Sequence, residues 1–427
     1  MTTHVAVHNE TRPGAAAPVS PRCRFCAAPL QHTFVDLGMS PLCESYVPSE
    51  RLSSMEPFYP LHVRLCERCL LVQLEEFVTA QDIFTEYAYF SSYSDSWVAH
   101  AREYVDSAVD RFGLDAGSLV IEVASNDGYL LQHVVERGVP ALGVEPAANV
   151  AAVAQERGIE TVVEFFGRDV AARLVSAGRQ ADLLAANNVM AHVPDLSDFV
   201  GGMKSVLAPQ GVVTIEVPHL MRLVEGNQFD TIYHEHFSYF SFLTAARVLS
   251  AHGLEVFDVE ELATHGGSLR LYAQHRSDGP QPVTSKVSAL AEEERELGFD
   301  TLEGHANFSP RVEETKWKLL EFLIEARRDG KTIAGYGAPG KGNTLLNYCG
   351  IRTDLLDFTV DRNPYKQGQF LPGTHIPIKH PDALEEARPD FILILPWNLK
   401  DEIAAQLSYT REWGARCVVP IPEVEVL

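Results

Sequence analysis

The sequence predicts an α/β protein built on a doubly wound, mostly parallel sheet. Three observations carry that expectation. Between residues 119 and 217, short apolar runs alternate with helix-like stretches, which requires parallel strands with helices on both faces. The first run, LVIEV at 119–123, breaks into the turn Ser125-Asn126-Asp127-Gly128 and passes at once into a helix-like stretch at 129–137. A strand, a Gly-containing turn and a helix in that order are how such sheets build a nucleotide site. The same unit recurs near the C-terminus, where a run at 332–336 leads into GAPGKGNTLL and a run at 356–360 ends in Asp361.

The rest of the chain is organised around residues 119–129. The first strand carries Glu122, and the next apolar run, 141–144, ends in Glu145, 23 residues later. A carboxylate about 20 residues past the turn, at the tip of the second strand, suits two ribose hydroxyls. Only one glycine, Gly128, stands where a dinucleotide fingerprint needs three, and no Gly-Lys-Ser/Thr follows to make a P-loop. So few glycines leave little backbone room for a pyrophosphate. A nucleoside without phosphates fits better, and S-adenosylmethionine is the expected ligand, with Glu122, Asn126, Gly128 and Glu145 as candidate contacts.

Composition excludes several classes. A chain of 427 residues holds two or three domains, and 46% hydrophobic with 22% charged residues is a globular balance. Lys and Arg number 35 against 58 Asp and Glu, a net charge of −23, which repels nucleic acid and anionic membrane alike. No apolar stretch approaches the ~18–20 residues that span a bilayer. The first 21 residues lack the basic and apolar regions of a signal peptide and are expected to be a disordered leader. Seven cysteines, an odd count without an export signal, point to reduced thiols in a cytoplasmic protein. A monomer is the expected state.

The first ordered unit, 22–83, carries Cys23-Arg-Phe-Cys26 and Cys66-Glu-Arg-Cys69, with 39 residues between the pairs. Four thiolates make a closed tetrahedral zinc site, so the metal is expected to be structural. Redox chemistry would use one pair and leave the other unexplained. The interval exceeds the usual spacing. Residues 30–65 are therefore expected to form a loop or small subdomain, made irregular by Pro41, Pro48, Pro57 and Pro60. Cys43 is expected to be a bystander. The segment 84–97 is dense in Tyr, Phe and Ser; it suits a pocket lining as well as a packed linker into a helix at 98–112.

The central unit, 84–283, has further expected strands at 159–163, 181–187 and 211–217, with helices at 149–156, 171–177 and 196–207. Runs at 254–259 and 268–275 are separated only by a loop, so the last strand can be antiparallel. Seven strands ending in an antiparallel edge pair resemble the class I methyltransferase fold. A helical connector, 284–330, leads to a Rossmann-like α/β unit at 331–427. Its Gly loop leaves room for a second nucleotide-sized ligand, or for a duplicated scaffold that binds nothing.

The stretch Tyr233-His-Glu-His236-Phe-Ser-Tyr239-Phe-Ser241 follows the fifth strand, at the sheet's carboxyl end. No third ligand completes a metal site and the order is not H-E-x-x-H. General base chemistry suits it better, because histidine titrates nearest neutrality, and two histidines with a glutamate are costly to bury unused. His192 follows the fourth strand and opens onto the same edge.

From Cys23 to about Pro422 the chain resembles the sugar C-methyltransferase family, through the double C-x2-C, the SNDG turn, YHEHFSYFS and GAPGKGNTLL. Members methylate a ring carbon of a nucleotide-linked deoxysugar. In the best-described ones the substrate is a dTDP-linked 4-keto-2,6-dideoxyhexose, and carbon 3 is methylated. The resemblance implies that His236 removes the proton beside the ketone, leaving an enolate. Its oxyanion would be met by Tyr233, His192 or Tyr87, and Glu235 would orient an imidazole. Asn187 and Asn188 would meet the methionine and adenosine, and Phe165 and Phe166 the adenine edge. The family pattern often has glycine where this chain has Ala124, adding a methyl beside the methionine moiety. Lys341 and the loop from Gly337 to Asn343 would meet a diphosphate, with Asp361 or its neighbours at the nucleoside. Two other classes stay open. An O- or N-methyltransferase needs no enolate, while a non-catalytic zinc-knuckle protein leaves Glu122, Glu145 and the YHEH cluster without a task.

Overall fold

Three sheets organise the computed structural model, which describes residues 21–84 and 90–427. The first is antiparallel and holds β1 (His32–Ser40), β2 (Tyr59–Leu65) and β3 (Val72–Leu74). The irregular course expected for 30–65 is therefore corrected. Leu61, Val63 and Leu65 alternate into the core, and that period of two outweighs the prolines. Pro41, Pro48 and Pro57 fall outside the strands, while Pro60 lies near a register shift in the β1–β2 ladder.

The second sheet has seven strands: β4 (Val120–Val123), β5 (Ala141–Val144), β6 (Thr161–Val162), β7 (Ala181–Asn187), β8 (Leu207–Pro218), β10 (Leu254–Leu262) and β11 (Ser268–His275). The missing number, β9 (Ser238–Tyr239), is lent to the first sheet, where it pairs antiparallel with β3. The order is β10-β11-β8-β7-β4-β5-β6, with β11 antiparallel to both neighbours. Strands β4 and β7 are apolar almost throughout, as burial on both faces demands. The flanking helices start at side-chain caps. Ser94 accepts from the Trp97 N–H before Asp95–Phe112, Asp195 from Asp198 before Leu196–Val206, and Ser241 from Thr244 before Phe242–Ala251.

The connector is two helices, Ser285–Glu296 and Phe308–Arg328. Glu294, fully buried on the first, accepts from His219 Nε2 and from the Phe242 and Leu243 N–H groups, which clamps the connector onto the central unit. The third sheet runs β14-β13-β12-β15-β16-β17, built from β12 (Ile333–Tyr336), β13 (Thr359–Val360), β14 (Ile378–Lys379), β15 (Phe391–Ile394), β16 (Arg416–Val419) and β17 (Glu425–Val426). It is parallel except for β17. Among the described residues no helix is long and apolar enough to cross a membrane.

Candidate active site

A cavity of about 580 Å³ opens at the carboxyl ends of the central strands. All three units line it: Cys43 and Glu44 from the first, the tips of β4, β5, β7 and β8 from the second, and Pro339, Gly340 and Lys341 from the third. The two separate nucleotide sites suggested by two Gly loops thus open onto one space.

One half is built by the turn after β4. Ala124, Asn126 and Gly128 all have left-handed backbones, with φ of 57°, 50° and 79°. Gly128 supports the turn from below, since a Cβ there would lie 2.4 Å from Ile159 Cδ1. The Glu145 carboxylate accepts from the Asn126 N–H at 3.0 Å and the Ala147 N–H at 2.9 Å. Each oxygen takes one backbone donor, which leaves lone pairs for ligand hydroxyls. Burial raises the Glu145 pKa. Glu122 does not line the cavity. It is buried beneath, and burial followed by the Glu145 charge holds its pKa well above the usual carboxylate range. Phe165, Phe166, Asn187 and Asn188 line the cavity together with Ala124, Asn126 and Glu145.

His236, Tyr233, Glu235 and His192 form the other half. His236 Nδ1–H donates to the Thr231 carbonyl at 2.9 Å, which leaves Nε2 as the basic nitrogen. Its ring lies 4.1 Å from that of Tyr233 and 4.7 Å from that of His192. Burial, then the neighbouring His192, hold the His236 pKa well below the usual histidine value. His192 donates from Nδ1 to the Glu235 backbone carbonyl at 2.9 Å, and burial pushes its pKa down to about 4. His192 and Tyr233 both line the cavity; Tyr87 lies outside the described residues.

The expected role of Glu235 is corrected. Its carboxyl orients neither imidazole but faces Cys43, whose thiol donates to it at 3.7 Å. Burial, then the Glu44 charge, push its pKa up to about 8, so it holds a proton at neutral pH. Cys43 is, as expected, a bystander to the clustered zinc-type ligands, and it lines the cavity instead. His234 is buried away from the cavity, its Nε2 at 3.3 Å from the Pro60 carbonyl.

In the third unit, Lys341 alone of the four expected residues lines the cavity. Its Nζ donates to Asn398 Oδ1 at 2.8 Å and lies 4.6 Å from the Trp397 ring centre. Trp397 Nε1 donates to the buried Asp230 at 2.7 Å, so the second and third units share a polar joint beside the cavity. Gly337, Asn343 and Asp361 do not line it. Gly337 has φ of 88° and lies against Pro396, Asn343 is fully buried, and Asp361 accepts from the Ala338 and Asn363 N–H groups of its own loops. Their backbone and packing duties explain the Gly-loop pattern.

Three family models match consecutive parts of the chain: "Putative zinc binding domain" at 23–84, "Methyltransferase domain" at 97–259 and "C-methyltransferase C-terminal domain" at 263–422. The chain is 37% identical to the C-methyltransferase NovU of Streptomyces niveus over 405 residues, 95% of this chain and 96% of that protein. The chain belongs to the sugar C-methyltransferase family. It is a C-methyltransferase that uses S-adenosylmethionine. A ubiquinone biosynthesis O-methyltransferase of Azorhizobium caulinodans is 26% identical over 37% of this chain and 68% of its own length. Among solved structures, the glycopeptide N-methyltransferase MtfA covers 41% of this chain and 96% of its own at 12% identity, with a TM-score of 0.34.

The site of this sugar C-methyltransferase fits its cofactor. Among the described residues, Asn187 Oδ1 and both side-chain polar atoms of Asn188 are buried without a partner beside the Glu145 carboxylate's cavity. Buried amides left unpaired are costly unless a ligand meets them. The zinc ligands fit as well. Cys23, Cys26, Cys66 and Cys69 hold their sulfurs within 4.8 Å of one another, with the Cys23–Cys69 and Cys26–Cys66 pairs at 3.5 Å. Zn–S bonds of about 2.3 Å in a tetrahedron ask for sulfurs roughly 3.8 Å apart.

Several lining residues had no signal in the sequence. Gln228, His265 and His219 reach the cavity from separate loops, and isolated polar residues in loops carry no pattern. Trp97 also lines it, stacked on His100 at 5.0 Å and with the His265 ring tilted against it at 5.1 Å. It belongs to the aromatic segment that stood out in the sequence.

Proposed function

We propose that this C-methyltransferase methylates C3 of a dTDP-linked 4-keto-deoxysugar through an enolate, in deoxysugar biosynthesis. The observation that carries this is His236, a buried neutral imidazole with Nδ1–H committed to Thr231 and Nε2 left basic in a cavity shared by all three units. A ring carbon is not a nucleophile until a proton beside the ketone is removed, and a neutral imidazole is suited to remove it near pH 7. Tyr233, with its ring against His236, is the donor for the developing oxyanion. S-adenosylmethionine, held by Glu145, Asn126, Asn187 and Asn188, supplies the electrophilic methyl group. Lys341, with the backbone at the start of helix Gly340–Cys349, meets the diphosphate. The enclosing walls keep water from the carbanion. The enzyme acts as a cytoplasmic monomer.

His236→Asn tests the assignment. Without S-adenosylmethionine, the parent enzyme should exchange the sugar's α-proton with heavy water, followed by NMR. The variant should lose both exchange and methyl transfer, by at least about 100-fold, while calorimetry shows unchanged S-adenosylhomocysteine binding. Retained exchange in the variant would remove His236 as the base. No exchange in the parent would remove the enolate formed ahead of methyl transfer.

A further inference from the structure

The zinc knuckle reaches into the cavity wall through one side chain. Arg24 sits between the ligands Cys23 and Cys26. Its Nη1 donates to the Pro194 carbonyl at 2.9 Å, its Nη2 donates to the Leu74 carbonyl, and its guanidinium carbon lies 5.2 Å from the Phe237 ring centre. Pro194 stands two residues after His192, and Phe237 directly follows His236. A single guanidinium thus touches both segments that carry the cavity histidines. Two backbone bonds complete the link: Leu74 N–H donates to Phe237 O at 3.0 Å, and Phe237 N–H to Ala191 O at 2.8 Å.

Gln73 ties the same assembly to the thiolates. Its side-chain oxygen accepts from the Arg24 N–H at 2.9 Å, and its Nε2 donates to Cys23 Sγ at 3.2 Å. Gln73 is opposite Ser238 in the β3–β9 ladder, two residues beyond His236. We infer that Arg24 is a positioning residue for the reaction, fixing the His192 and His236 segments relative to each other from the zinc knuckle. The fork geometry matters. A guanidinium can bond two carbonyls while its face meets an aromatic ring, whereas a lysine ammonium cannot hold all three. A base misplaced by about 1 Å loses much of its rate, so the knuckle's effect on turnover exceeds that of a stabilising staple. This rests on His236 and its neighbours being the reacting groups.

The test compares Arg24→Ala and Arg24→Lys with Arg22→Ala, whose exposed side chain turns back to the Ala27 carbonyl. Zinc content, amide hydrogen exchange by mass spectrometry and steady-state kinetics are measured on each zinc-loaded chain. Arg24→Ala should keep close to one zinc, exchange faster at 189–194 and 236–239, and lose roughly 10- to 100-fold in kcat with a much smaller change in KM. Arg24→Lys should recover only part of the rate, and Arg22→Ala should match the parent. Loss of zinc from Arg24→Ala would make the residue part of the metal site and overturn the inference. So would exchange that rises only within the first sheet while kcat stays at the Arg22→Ala value. Zinc content and amide exchange do not depend on the substrate. A wrong base would show in the His236→Asn experiment and leave these two measurements intact.

Discussion

At the residue scale, burial sets the protonation of the cavity, and it drives the imidazoles and the carboxyls in opposite senses. His236 and His192 are held neutral, so a base at His236 stays active through neutral pH, and the rate should fall only below the usual histidine range. Glu235 keeps its proton until about pH 8. The sign for stability follows from linkage. A carboxyl whose folded pKa is raised binds its proton more tightly when folded, so its contribution is complete below the unfolded pKa and is lost as pH rises to the folded value. Glu235→Gln should therefore flatten the fall in melting temperature that the parent shows between about pH 4.5 and about pH 8. Equal slopes for the two proteins would mean that Glu235 ionises normally. None of this was visible in YHEHF, because spacing along the chain does not say which groups lose water.

At the element scale the turn after β4 carries the clearest test. Ala124 holds φ of 57° where a glycine would be at ease. An L-residue in that region costs roughly 1–2 kcal/mol, partly offset by the greater chain entropy lost with glycine. Ala124→Gly is expected to raise stability by about 1 kcal/mol, read from urea unfolding. A loss of stability would show that the alanine methyl is packed usefully. The strain was hidden in the sequence, although the strand before it was plain. Ala181–Asn187 and Ser268–His275 were legible to the residue, being stretches with apolar residues bounded by loops. β9, β14 and β17 were not, because each is two residues long and owes its existence to a partner strand.

At the scale of the whole molecule, one cavity serves three units, and Lys341 is the third unit's charged side chain within it. A charge-assisted contact to a diphosphate is worth roughly 1.5–3 kcal/mol, about 10- to 100-fold in affinity. Lys341→Ala is expected to raise KM for the sugar nucleotide by that factor and to spare S-adenosylhomocysteine binding, which calorimetry separates. The reverse pattern would exchange the two ends of the cavity. Trp397 and Asp230, whose hydrogen bond joins the second and third units, fix where that lysine stands.

The sequence by itself determined the central sheet, the four thiols, the carboxylate at the tip of β5 and the histidine cluster. Each is a local pattern: an apolar run that must be buried, ligands at fixed spacing, or ionisable groups too costly to bury idle. Only the tertiary structure decided that Glu235 faces Cys43, that Asp361 is spent on its own loops, and that Arg24 reaches two segments some 170 and 213 residues away. Those pairings depend on which loops meet after the sheets have packed, and a hydrogen bond or a lost hydration shell leaves no periodic trace in the chain that makes it.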